Sequence, residues 1–246
     1  VGLTRVLVDA ATLFSSLALM GTGSSTLRFY PHFKDESRNQ QGLYFWTLII
    51  PFVGFLIFLI CFFAFKGWII NTFEDKSPLF VNYVYFTLPM AFSILYMAVF
   101  ETNATILERV AVPRMIREVF IRLGLLIGYL LYGLWHVIDL DELVIVMCTI
   151  YGLGALLNLC YLLFSQKISF KPDFSKITPE LRRDFLWYTL FLITAALVGS
   201  VMPTLSSFFI SAKMGLMFTG VYAIANYIAT MVEIPSRSLN AIVLLR

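Results

Sequence analysis

A few ionisable and amide residues lie within or at the edges of long apolar runs. Arg5 and Asp9 stand four residues apart at the start of one run. That spacing puts them on one helix face, where they can pair. Glu233 and Arg237 repeat the spacing near the other end, with Pro235 between them. Arg28 closes the run that Arg5 opens, and Asn226 and Tyr227 lie inside a later one. Ionisable groups surrounded by hydrocarbon are costly and are functional candidates by default. The chemistry within their reach is ion pairing, proton or ion exchange, and the holding of an anion by an arginine fork. The plainer reading of each is a cation snorkelling to the headgroups or a pair at the surface. The sequence has no nucleophile–base pair, glycine-rich phosphate loop or ATPase motif. Cys61, Cys148 and Cys160 fall in apolar runs without a CxxC, and His32 and His136 are far apart. No disulfide framework, metal, cofactor or catalytic residue is therefore expected, and the cysteines read as small packing residues.

The elements that must position these residues are membrane helices. Of 246 residues, 59% are hydrophobic and 13% charged, and 24 are Phe, with a mean hydropathy of +0.84. Soluble domains are nearer a quarter charged. The net charge of +3 is too mild for a nucleic-acid binder. Seven runs have the length of a bilayer span: Val6–Leu27, Tyr44–Phe65, Phe80–Phe100, Val119–Val137, Leu143–Phe164, Phe185–Ile210 and Gly215–Ile234. With the loop after the first run placed inside, inner loops carry fourteen of the 18 basic residues, leaving Arg5, Lys66, Lys76 and Lys213 outside. This is the positive-inside bias. Arg122, a turn inside its span, reads as a snorkelling anchor, and Glu101 as a partner of Arg109 or Arg114. Asn103-Ala104-Thr105 matches a glycosylation sequon but falls on the inner side. An enzyme would need catalytic groups on a sizeable loop, and the outer loops are short.

Pro51, Pro89 and Pro203 lie within runs and tend to kink them. Pro203, among small and hydroxyl residues, is the first candidate for a bending point, with Pro235 the second. The polar, basic stretch 165–184 divides the chain into a five-span bundle (1–164), an inner linker and the start of a second bundle (185–246). Thr178-Pro179-Glu180-Leu181 reads as a helix start. The opening at Val1 and the end at Arg246, inside an apolar run, are those expected of a piece of a longer polypeptide.

Gly21-Thr22-Gly23 leading into Leu27-Arg28-Phe29-Tyr30-Pro31 resembles the second helix of bacterial polysaccharide (O-antigen type) flippases, of the multidrug/oligosaccharidyl-lipid/polysaccharide exporter superfamily. Ile210–Gly215, Gly220–Ala225 and Glu233–Arg237 look like the seventh-to-eighth helix passage of the same family. The resemblance implies an all-α, polytopic membrane protein whose seven spans are helices two to eight of a two-bundle fold with twelve to fourteen. An internal echo agrees: Gly2–Thr12 laid on Gly220–Thr230 matches Gly2, Ala11 and Thr12 to Gly220, Ala229 and Thr230.

The resemblance further implies transport across the bacterial cytoplasmic membrane without enzymatic chemistry. The cargo would be a polyprenyl-pyrophosphate-linked oligosaccharide, moved by alternating access and with a proton or sodium ion as a possible coupling partner. Arg28 and Arg237 would receive the pyrophosphate. Arg5, Asp9 and Glu233 would line the path, and Asn226, Tyr227 and Ser206-Ser207 would bind sugar hydroxyls. Helix-packing glue is the plainer role for the polar side chains. An ion-coupled multidrug or cation exporter of the same fold is the alternative, and it would need inward-facing carboxylates.

Overall fold

The computed structural model describes residues 2–33, 43–107, 109–165 and 179–243, all helix or short turn, with no strand among them. The helices run in the order α1 (Gly2–Ala18), α2 (Thr22–Phe33), α3 (Leu43–Phe73), α4 (Pro78–Tyr83), α5 (Thr87–Ile106), α6 (Ala111–Met115), α7 (Ile121–Gly133), α8 (Leu140–Ser165), α9 (Pro179–Met214) and α10 (Leu216–Val243). A 3-10 turn, Val84–Phe86, joins α4 to α5, and a π turn, Ile116–Phe120, joins α6 to α7.

Among the described residues three helices are long and apolar enough to cross a bilayer: Tyr44–Phe73, Pro78–Ile106 and Leu140–Phe164. Gly2–Ala18 and Thr22–Arg28 make a fourth if the bent pair is one span. These four cover the expected runs Val6–Leu27, Tyr44–Phe65, Phe80–Phe100 and Leu143–Phe164. The run Val119–Val137 meets the shorter α7, of 13 residues, Phe185–Ile210 lies inside α9, and Gly215–Ile234 largely coincides with α10. At 1.5 Å per residue α3 is about 46 Å long. It turns Phe52, Leu56, Ile60, Phe63 and Trp68 outward, with Trp68 69% exposed. Water would penalise such a face, and lipid does not. These apolar helices mark a membrane-embedded protein.

Helix α1 is the hub. Val6, Leu7, Ala10 and Ala11 are almost fully buried, because α1 packs on α3, α5, α9 and α10. Small residues allow some of these approaches to be very close. A methyl on Gly2 would come within 1.9 Å of the Leu216 carbonyl oxygen, and one on Gly54 within 2.2 Å of the Ala18 carbonyl oxygen.

The local expectations need one correction. Val6–Leu27 is not one straight helix. It bends by 44° where Met20 and Gly21 take left-handed φ values of 50° and 67°. The glycine needed there was visible in the sequence, whereas the methionine in that conformation was not. Two of the in-run prolines lie within continuous helix. Pro51 sits inside an α3 that stays helical throughout, and Pro89 falls in the first turn of α5, where a missing N–H costs little. Helix α9 starts at Pro179, at the helix start read from Thr178-Pro179-Glu180-Leu181.

Candidate functional site

The charged pair read from spacing is present. Arg5 Nε donates to Asp9 Oδ2 at 2.9 Å, and the two side chains are 17% and 9% exposed. Neighbouring helices close around the pair. Tyr227 on α10 lies under the guanidinium, with Cζ 5.3 Å from the ring centroid, a cation–π distance. From α9, the buried Ser207 hydroxyl faces the Asp9 carboxylate, although the alignment falls short of a hydrogen bond. From α7, Tyr129 faces Thr4, and Tyr151 on α8 stands behind it. Tyr129 and Tyr227 remain 37% and 47% exposed, and α7 packs chiefly on α8. The group is therefore part-exposed rather than a filled core. A half-buried cation and its buried counter-ion sit there, with three tyrosines around them.

Only Nε of Arg5 is used on Asp9. The rest of the fork is left for Tyr227 and for an acceptor approaching the pair. The tyrosines add apolar faces with polar tips, a surface suited to sugar rings and their hydroxyls. Among the described residues no three His, Cys, Asp or Glu side chains come together as metal ligands.

The other expected residues divide. Arg28 is exposed and stacks on Tyr188 of α9, with Cζ 4.0 Å from the ring centroid. It is on the same bent helix as Arg5 but beyond the break, so the structure does not gather Arg28 into the Arg5 group. Ser206 and Ser207 do not act together: Ser207 is buried and Ser206 exposed, as adjacent helical positions must be. Asn226 is half-buried beside Tyr227 on α10. Pro203 lies on α9 and Glu233, Pro235 and Arg237 on α10, and the side chains of all four lie outside the described residues. Glu101 does pair, but its close partner is Arg117 at 2.9 Å, with Arg114 farther off at 3.9 Å. Arg122 is ion-paired with Glu118 one turn away rather than acting alone as an anchor. Asn103 of the sequon is buried inside α5. Cys61 and Cys160 are exposed, not packed, and Cys148 is half-buried with Sγ 3.7 Å from the Phe86 carbonyl oxygen.

Sequence reasoning missed Tyr129 and Tyr151. A tyrosine deep in an apolar run carries a hydroxyl that needs a partner, and that signal was present. The polar clasps between distant helices carried no such signal. Ser77 Oγ donates to the Ser211 carbonyl oxygen at 2.7 Å and meets Ser211 Oγ at 3.0 Å. Ser25 Oγ meets Thr189 Oγ1 at 2.9 Å.

No family model, curated protein or solved structure matches the chain.

Proposed function

We propose that the chain forms part of a transporter that turns a polyprenyl-pyrophosphate-linked oligosaccharide across the bacterial cytoplasmic membrane by alternating access. The observation that carries this reading is the Arg5–Asp9 pair, largely withdrawn from solvent beside Tyr227 and near Tyr129. A bilayer-crossing anion needs a cation away from lipid, and a planar guanidinium suits a pyrophosphate. The polyprenyl tail can stay in lipid while the head passes. The step involves binding and release, without bond chemistry.

Further points fit the reading. Beside the four apolar passages, this reading takes residues 111–133, α9 and α10 as the other three of the seven spans it expects. The sequence echo pairs Gly2 with Gly220, and these two glycines face each other, a Cβ on Gly220 lying 3.4 Å from the Gly2 nitrogen. Helices related by a two-fold repeat meet in this way near their axis. In this reading Arg28, exposed on α2 and stacked on Tyr188, would be a first contact for the anion on its way in. The cation-exporter alternative is less favoured, because Asp9, the carboxylate beside Arg5 among the described residues, is already paired with it.

The test is turnover of a fluorescent lipid-pyrophosphate sugar by the intact polypeptide carrying these residues, reconstituted in liposomes beside the double variant Arg28→Ala/Arg237→Ala. The reading expects flipping by the wild type and a marked loss in the variant. A protein that leaves the lipid in place but moves a cationic dye against a proton or sodium gradient would be the exporter instead.

A further inference from the structure

The passage from α5 into α7 carries a second charged group, distinct from the Arg5 pair. Glu101, near the end of α5, meets two arginines from the segment that follows. Arg117 Nη1 donates to Glu101 Oε2 at 2.9 Å, and Arg114 Nε stands 3.9 Å from Glu101 Oε1. Among the described residues Glu101 is the one carboxylate within 4 Å of either arginine. Two positive charges thus share one negative charge. The side chains of Arg114 and Arg117 are 71% and 56% exposed. A guanidinium carries several N–H donors in a fixed fork. Arg117 spends one nitrogen on Glu101 and Arg114 makes no close bond to it, so both forks keep donors for a further acceptor.

The surroundings are apolar. Met115, Val119 and Leu123 follow one another at four-residue steps on the same segment, and all three are exposed. Arg117 and Val119 lie within the π turn Ile116–Phe120, an irregularity that is frequent at functional sites. Arg122, past the turn, is matched by its own Glu118. Arginines beside an exposed apolar stripe suit the boundary between hydrocarbon and headgroups. Simple snorkelling to water, however, requires neither a second arginine nor a carboxylate that draws two of them together.

We propose that Arg114 and Arg117 hold the phosphodiester of an anionic bilayer phospholipid, with its acyl chains lying along Met115, Val119 and Leu123. A guanidinium fork donates two parallel bonds to phosphate oxygens. The excess positive charge favours a headgroup that brings no cation of its own, as basic pockets at membrane surfaces do. Glu101 is a positioning residue that brings the two forks to one place. The bound lipid ties the end of α5 to the segment leading into α7. The site does not depend on which cargo the Arg5 pair serves.

The test is lipid binding to the intact polypeptide, delipidated in a neutral detergent and titrated with dioleoylphosphatidylglycerol or dioleoylphosphatidylcholine under native mass spectrometry. The tails are identical and only the head differs. The expected result is saturable binding of the anionic lipid, at least about tenfold tighter than that of the choline lipid. Arg114→Gln/Arg117→Gln should remove this preference, whereas Arg122→Gln should keep it. If the double variant is not monodisperse, Arg114→Gln is read in its place, since it breaks no close bond. Glycerol phosphate, a head without tails, should compete at least about a hundredfold less well. The anionic lipid should also raise the melting temperature of the wild type but not of the double variant. Equal binding of the two lipids overturns the proposal, as does an unchanged preference in the arginine variants. An equal loss in Arg122→Gln would mean diffuse surface charge only, and full competition by glycerol phosphate a site for free phosphate; either overturns it. No transport is measured, so failure here and failure of the cargo assignment are distinguishable.

Discussion

The two ends of the bent helix α1–α2 are held by different physics. At the Gly2 end, backbones touch. Gly2 lies on Leu216 and Gly220, and the Lys76 carbonyl oxygen is 2.9 Å from where a Cβ on Gly215 would be. The Ser77–Ser211 clasp adds a buried hydrogen bond. At the Arg28 end, α2 meets α9 through side chains: the Ser25–Thr189 hydroxyl contact and the exposed Arg28–Tyr188 stack. Backbone contact has no rotamer to yield, so the Gly2 end separates only as a whole. Hydroxyl and stacking contacts exchange readily with water or with an anionic ligand. The difference teaches that an opening reached with little rearrangement lies at the Arg28 end, with the charged pair nearer the closed one.

The largest expected effect is on that pair. Asp9→Leu leaves the Arg5 cation enclosed without a counter-charge, which costs about 3–5 kcal/mol. Thermal unfolding in detergent should show it, and Arg5→Met/Asp9→Leu should recover most of the loss. An unchanged midpoint for Asp9→Leu would mean that Arg5 reaches solvent and that the Gly2 end is not closed.

Glycine substitutions sharpen the contrast. Gly2→Ala puts a methyl 1.9 Å from a backbone oxygen and should cost about 1–3 kcal/mol or more by overpacking. Gly23→Ala meets only the Thr102 hydroxyl at 3.2 Å, which can shift, so any cost should be offset within about 1 kcal/mol by the better helix propensity of alanine. Equal losses at both positions would erase the distinction between the ends.

The clasps come next. Ser77→Ala and Ser25→Ala each remove a buried hydroxyl contact and should cost about 1 kcal/mol. Cysteine pairs at Ser77/Ser211 and Ser25/Thr189, in a background without the three native cysteines, should each cross-link and block transport from opposite ends. Cross-links that leave transport intact would deny that the ends alternate. The smallest effect is expected at Arg117→Ala. Its 2.9 Å bond to Glu101 is exposed and worth under about 1 kcal/mol.

The helical membrane character was legible because long charge-free apolar runs seldom occur outside membrane spans. The Arg5–Asp9 pair was legible because i, i+4 spacing is a local rule. The bend at Met20 was not, since it sits where Gly54 of α3 lies against the Ala18 carbonyl, a contact between residues far apart in the chain. The Tyr129 and Ser207 faces of the group were hidden for the same reason. Which of two adjacent serines turns inward is fixed by the phase of α9 against α1, and the nearly uniform apolarity of α9 does not encode that phase.

The most direct test of the central claim uses the neutral pair Arg5→Gln/Asp9→Asn in the liposome assay. Both charges go together, so no unpaired charge is left enclosed and the fold should survive. If the pair holds the anionic head, this variant remains monodisperse, melts within a few degrees of the wild type, and flips the lipid-pyrophosphate sugar at least about a hundredfold more slowly. A well-folded neutral pair that flips at the wild-type rate would contradict the account and leave the Arg5–Asp9 pair a purely structural contact.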